Sequence, residues 1–191
     1  MNKEQFKYLI FNKPFEVLCQ FTDSSGRQTL KDYIDVQGIY PVGRLDYDSE
    51  GLLFLTDDGK LNQQMSNPRY KVEKTYWAQV EGLPAKEAIS NLGKGVVIEG
   101  KKTLPARVKQ LPDNLLIWPR TKPIRFRRSV PTSWLEITIH EGRNRQVRKM
   151  TAAVGLPCLR LIRVKIGPIK LGNLKPGEFA LIKKPHISLY S

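Results

Sequence analysis

Residues 43–59 read GRLDYDSEGLLFLTDDG, and the parsing of this stretch constrains what the rest of the chain builds. Its apolar run, LLFLT at residues 52–56, has the length and composition of a buried strand and is far too short to cross a bilayer. Residues 39–45 also read as extended, so the polar DYDSEG between them reads as a turn held between two strands. Asp46, Asp48 and Glu50 fall at alternate positions of that turn. One reading is a calcium loop, because Asp46, Asp48, Glu50, Gly51, Leu53 and Asp57 occupy positions 1, 3, 5, 6, 8 and 12 of an EF-hand pattern. The flanks argue against it. They are strand-like where helices are needed, Pro41 interrupts the incoming side, Phe54 fills the ninth position, and Asp57 is one carbon shorter than the usual bidentate Glu. Asp57 and Asp58 read as solvated turn residues.

Outward from this stretch, strands and helices alternate irregularly. Residues 6–12 and 15–20 read as a hairpin bent at Lys13-Pro14, with a short helix near residues 30–34. A helix over 60–66 stops at Asn67-Pro68, a strand follows at 74–80 (KTYWAQV), and a helix at 85–92. Further strands are expected at 95–99, 106–110, 115–118, 134–140, 159–166 and 179–182. Asn144 reads as the cap of a helix that places Val147, Met150, Thr151 and Val154 on one face. The regular βαβ period is missing and turns are frequent. The expectation is an α+β fold, a mixed, largely antiparallel sheet with flanking helices, in one domain.

The charge is one-sided. Residues 1–114 carry 16 Lys and Arg against 15 Asp and Glu, whereas residues 115–191 carry 16 against 3. An unopposed cationic half attracts a polyanion and releases its condensed counterions, so nucleic acid is the leading partner, ahead of a cationic solubility surface or an acidic membrane patch. The N-terminal stretch has no signal-peptide pattern, and Cys19 and Cys158 make no disulfide framework, so a cytoplasmic protein is expected.

GRLDYDSEGLLFLTDDG resembles the active-site signature of the RsuA and RluB/RluE/RluF class of pseudouridine synthases. Support comes from KYLIFNKPFEVLC at 7–19, KTYWAQVEG at 74–82, EGRNRQVRKMTAAVG at 141–155 and RLIRVKIGPIKLGNLKPGE at 160–178, in the family's order and over nearly the whole chain. The resemblance is closest to the RluE type, because most relatives carry an N-terminal S4 RNA-binding domain and this sequence opens directly on the catalytic hairpin. It implies the pseudouridine synthase catalytic fold, with two lobes beside a central cleft, and isomerisation of a uridine in ribosomal RNA, the large-subunit 23S species or a pre-ribosomal particle. A monomer with neither nucleotide cofactor nor metal is expected.

On the resemblance, Asp46 is the catalytic carboxylate, in a nucleophilic or basic role, while attack on sugar, attack on base and a glycal intermediate all remain open. Such a group must stay ionised beside a buried base, which calls for a cation or hydrogen bonds. Arg148 matches the family's basic partner of that Asp, although by itself it reads as a solvated helix residue on phosphate. Tyr76 matches the active-site Tyr that stacks on uracil, or else packs as a strand aromatic; Trp77 points to the other face.

The target must be everted, and Arg44, two residues from Asp46, is placed to hold the flipped nucleotide or to ion-pair with Asp48 or Glu50. Arg120, Lys122, Arg125, Arg127 and Arg128 surround Phe126 as an RNA clamp would, and Arg143, Arg145, Lys149, Arg163 and Lys165 extend the track or snorkel over core. No zinc-deaminase signature, Walker sequence or Gly-rich nucleotide turn is present. The competing class is a non-catalytic rRNA-binding or ribosome assembly factor, which explains the charge and leaves the acidic motif unexplained.

Overall fold

The computed structural model describes residues 6–112, 114–120, 122–124 and 130–187. Its strands are β1 (Tyr8–Lys13), β2 (Tyr40–Pro41), β3 (Glu50–Thr56), β4 (Lys74–Glu81), β5 (Val97–Ile98), β6 (Lys101–Lys102), β7 (Arg107–Gln110), β8 (Thr132–Ile139), β9 (Cys158–Ile166), β10 (Ile169–Lys170) and β11 (Phe179–Leu181). The helices are α1 (Gly59–Ser66), α2 (Lys86–Lys94) and α3 (Gln146–Ala153). The main sheet runs β11-β1-β3-β9-β4-β8-β7, with β2 beside β3 and β10 beside β9, while β5 and β6 form a separate hairpin. All pairings are antiparallel except β3 with β9. The fold is α+β with a mixed, largely antiparallel sheet, as the alternating patterns implied. Among the described residues no helix is long and apolar enough to span a membrane.

The β3–β9 pairing organises the molecule. Only Glu50 with Ile162 and Gly51 with Arg163 are in register there, whereas β4 and β8 pair over all eight residues of β4. The sheet is therefore weakly joined at this seam, and the half built on β1 and β3 is free to diverge from the half built on β9, β4 and β8. Because the two strands are parallel, the segments that precede them, residues 46–49 and α3 with its following turn, arrive at the same end of the sheet. Close approach at the seam demands a glycine: a Cβ on Gly51 would sit 2.3 Å from the Arg163 carbonyl oxygen, and its φ is +99°.

Two expected strands are not formed. Residues 15–20 do not pair with β1, which takes β3 and β11 as neighbours; only a bridge from Leu18 to Thr29 remains. The cause is local: Glu16 turns with φ +58°, and the fully buried Lys13 ammonium gathers the carbonyls of Pro14 at 2.7 Å and Val17 at 2.8 Å. Residues 115–118 cross the sheet face instead of joining it, because Trp118 donates its indole N–H to buried Glu50 at 3.0 Å. At α3 the cap is Arg145, left-handed with φ +51° and without a side-chain cap, not Asn144.

Candidate active site

Residues 46–49 form a turn closed by the Ser49 amide on the Asp46 carbonyl at 3.0 Å. Three groups fix it from behind. The Leu45 amide donates to the Cys19 sulfur at 3.2 Å, the Glu16 amide to the Tyr47 carbonyl at 2.9 Å, and Lys13 Nζ to the same carbonyl at 3.5 Å. Burial pulls the Lys13 ammonium from its ordinary 10.5 down to about 8. An ammonium held inside the fold against three carbonyls makes this loop a rigid platform.

Asp46 looks into a cleft of about 330 Å³ at the seam between the two sheet halves. Its side chain is 36% exposed, and its nearest cation is Arg145, with Nη1 3.7 Å from Oδ2. Among the described residues it is the one carboxylate lining that cleft, against Arg44, Lys74, Arg143, Arg145 and Arg163. The buried Tyr76 ring lines the same cleft from β4, where it pairs with Arg163. Lys74, also in the lining, is drawn down to about 8 by burial and then by the neighbouring Arg163 charge.

Asp48 anchors the cations. Arg145 grips it with two bonds of 2.8 Å, and Arg148 reaches its backbone carbonyl at 2.7 Å and its carboxylate at 3.4 Å. The Arg145 hydrogen bond holds the Asp48 carboxyl below its ordinary range despite desolvation. Arg148, expected beside Asp46, thus engages the second acid of the motif, with its other arm on the Cys158 carbonyl at 3.2 Å. The reason is positional: α3 follows a left-handed Arg145, which brings that residue over the tip of the turn and leaves Arg148 at its base.

The expected RNA track divides. Arg44 is exposed at the cleft, its carbonyl held by Arg163 Nη1 at 3.4 Å, and among the described residues it makes no ion pair with Asp48 or Glu50. Arg163 is 2% exposed; Nε donates to the Leu52 carbonyl at 2.8 Å, and Nη2 is buried without a hydrogen-bond partner among the described residues. Arg143 lines the cleft while its guanidinium braces the β5–β6 hairpin through the Ile98 and Lys101 carbonyls, at 2.7 and 3.0 Å. Lys149 turns to Glu99 at 2.6 Å, outside the cleft lining, and Lys165 lies on another cavity altogether. Arg125, Arg127, Arg128 and Phe126 fall outside the described residues. Lys122 pairs with Glu16, and the Arg120 guanidinium sits 4.0 Å over the Phe15 ring.

The sequence reading did not single out Lys13, Lys74 or Ser49, whose buried hydroxyl at the cleft has no hydrogen-bond partner among the described residues. The Asn12-Lys13-Pro14 bend carried a signal for the first: a lysine between apolar strand residues must either snorkel or find carbonyls.

A family model described as RNA pseudouridylate synthase matches residues 7–153. The chain is 52% identical over 177 residues to the ribosomal large subunit pseudouridine synthase E of Vibrio parahaemolyticus, covering 93% of this chain and 74% of that protein. To the protein of the same name from Xanthomonas campestris pv. campestris it is 50% identical over 173 residues, covering 90% and 92%. A crystal structure of a pseudouridylate synthase superposes with a TM-score of 0.77 at 28% identity, covering 96% of this chain and 73% of the other.

Proposed function

Because the chain belongs to the RNA pseudouridylate synthase family, we propose that it converts a uridine of large-subunit 23S ribosomal RNA, free or in a pre-ribosomal particle, to pseudouridine with Asp46 as the catalytic carboxylate. The observation that carries the assignment is the cleft's composition, with Asp46 the lone lining acid among the described residues, facing five cations.

The reaction breaks the C1′–N1 bond, turns the base, forms C1′–C5, and exchanges the C5 hydrogen for a proton on N1. Atoms balance without oxidant or phosphoryl donor, so the proposal calls on no cofactor. Asp46 supplies negative charge beside C1′ or acts on the base, with Arg145 Nη1 standing 3.7 Å from its Oδ2. Tyr76 offers an aromatic face to the everted uracil, while Arg44 at the rim holds the flipped nucleotide; eversion itself costs a few kcal/mol. Arg148 acts through Asp48, fixing the turn that presents Asp46. A single chain brings Asp46, Tyr76 and Arg145 to one cleft, which supports a monomer; cytoplasmic residence, with the ribosomes, belongs to the same proposal.

Tritium release from 23S RNA labelled at uridine C5 tests the assignment. Asp46→Ala should abolish release while leaving RNA affinity near wild type. Full release by the variant would refute it.

A further inference from the structure

The sheet face away from Asp46 carries a second and larger cavity, of about 800 Å³. Adjacent residues of β4 divide between the two faces, Tyr76 into the catalytic cleft and Trp77 into this cavity. Its floor is built from β4, β7, β8 and β9; residues 116–118 wall one side and residues 170–176 the other. The indole N–H of Trp77 is spent on Glu136 at 3.0 Å and that of Trp118 on Glu50 at 3.0 Å. Both rings therefore have their polar edges satisfied internally and offer only π surface to a ligand. Leu116 on the rim is 96% exposed.

The charge around this apolar floor is cationic. Arg107, Lys109, Lys165, Lys170 and Lys175 line it, with Glu136 the one acid among the described residues, and Glu136 is already met by Lys109 at 3.1 Å and by the Trp77 N–H. Among the described residues, Lys165, Lys170 and Lys175 have no ion-pair partner. Half-buried indoles flanked by uncommitted lysines are what an unpaired nucleotide needs: stacking for the base, cations for its phosphates. An acidic peptide would use the lysines and leave the rings idle.

We propose that this groove is a second RNA-contact site, taking an unpaired stretch of the substrate RNA remote from the target uridine. The proposal rests on the RNA synthase reading and extends it: the RNA passes around the exposed β7 edge of the sheet, so the enzyme grips its substrate on both faces. Lys165 acts here and not beside Asp46.

The probe is fluorescently labelled octaadenylate, which has no uridine and cannot report on isomerisation. Its anisotropy is titrated against wild type and against a Leu116→Glu, Lys170→Glu, Lys175→Glu variant, whose three side chains are exposed, so that folding is unaffected. The variant should bind roughly tenfold or more weakly. Its log–log salt slope should flatten by about 1.4, the value for two single-strand phosphate contacts. Lys175→Glu alone should show a smaller loss of the same sign. Unchanged affinity overturns the proposal. So does affinity lost with Arg44→Glu and retained in the triple variant, which would place the oligonucleotide in the Asp46 cleft. Octaglutamate binding equally well and weakening equally would also overturn it, since the groove would then read charge alone. Failure of tritium release by the wild type would sink the catalytic reading without touching these results.

Discussion

Glu50 and Arg160 form the most deeply buried ion pair among the described residues, and removing one partner is a sharp test of how the seam is held. Glu50 is 2% exposed and bonds Arg160 twice, Oε1 to Nε and Oε2 to Nη2, both at 2.7 Å. Oε2 also accepts from Trp118, whose carbonyl takes Arg160 Nη1 at 3.0 Å. Glu50→Gln removes the neutralising charge and turns an amide N–H₂ toward a guanidinium. Two charge-assisted bonds at about 1.5–3 kcal/mol each, with a buried cation left uncompensated, give an expected loss of about 3–5 kcal/mol. With a urea m-value of about 2.5 kcal/mol per M, the midpoint should fall by roughly 1–2 M, followed by tryptophan emission. Replacing both partners by Met should restore most of that stability, because the desolvation of both charges is removed together. Tritium release without urea should stay at the wild-type level, since the Glu50 side chain does not line the Asp46 cleft. A single variant within 1 kcal/mol of wild type, or a double variant whose loss equals the sum of the singles, would refute this account of the seam.

Asp48→Ala should leave stability within about 1 kcal/mol, because the Arg145 pair is partly exposed, yet lower kcat/KM on the order of 100-fold by freeing Arg145 and Arg148; a change below threefold in steady-state tritium release counts against it. Gly51→Ala drives a methyl into the β9 backbone at a left-handed φ and should cost more than about 3 kcal/mol in thermal or urea unfolding, with wild-type stability as the contrary result. Stability should rise on the order of 1 kcal/mol from pH 8 to 9: Lys13 and Lys74 release protons near 8 when folded, whereas unfolded lysines hold theirs to 10.5, so the unfolded state binds more protons in this window. Above pH 9 the Cys158 thiol, pushed up to about 11 by burial, acts in the opposite sense and levels the curve; urea midpoints that fall between pH 8 and 9 would contradict the burial of those two lysines.

What could be read in advance follows the range of the interactions. The strands β1, β4, β8 and β9 announce themselves because alternation and apolar runs are local properties, and Pro68 and Gly155 end their helices locally as well. The strand expected at residues 15–20 fails because a side chain two residues upstream, Lys13, takes the carbonyls of Pro14 and Val17. The strand expected at 115–118 fails because Glu50, 68 residues away, needs the Trp118 N–H. The parallel β3–β9 contact has no local signature at all, and it is this contact that selects Arg145, not Arg148, as the nearest cation to Asp46. The split of Arg163 and Lys165 between opposite faces also eludes simple alternation, which puts two residues of equal parity together. The register with β4 passes over Val164, so Thr75 faces Lys165 while Tyr76 faces Arg163, and this bulge sends Lys165 to the far groove.

The three alternating acids of the signature resolve into three physical tasks. Glu50 is withdrawn into the protein and locks β3 to β9 through Arg160. Asp48 stays at the surface and collects the two arginines that α3 presents. Between them these two carboxylates take up three guanidinium groups, among them that of Arg145, the cation beside Asp46. Asp46, among the described residues, has Arg145 at 3.7 Å, beyond hydrogen-bond range, so that its oxygens remain available to a substrate. Had Asp46 been gripped as Asp48 is, any nucleophilic or basic step would first have to break two charge-assisted bonds. The density of negative charge in this turn is thus what keeps one member of it chemically free.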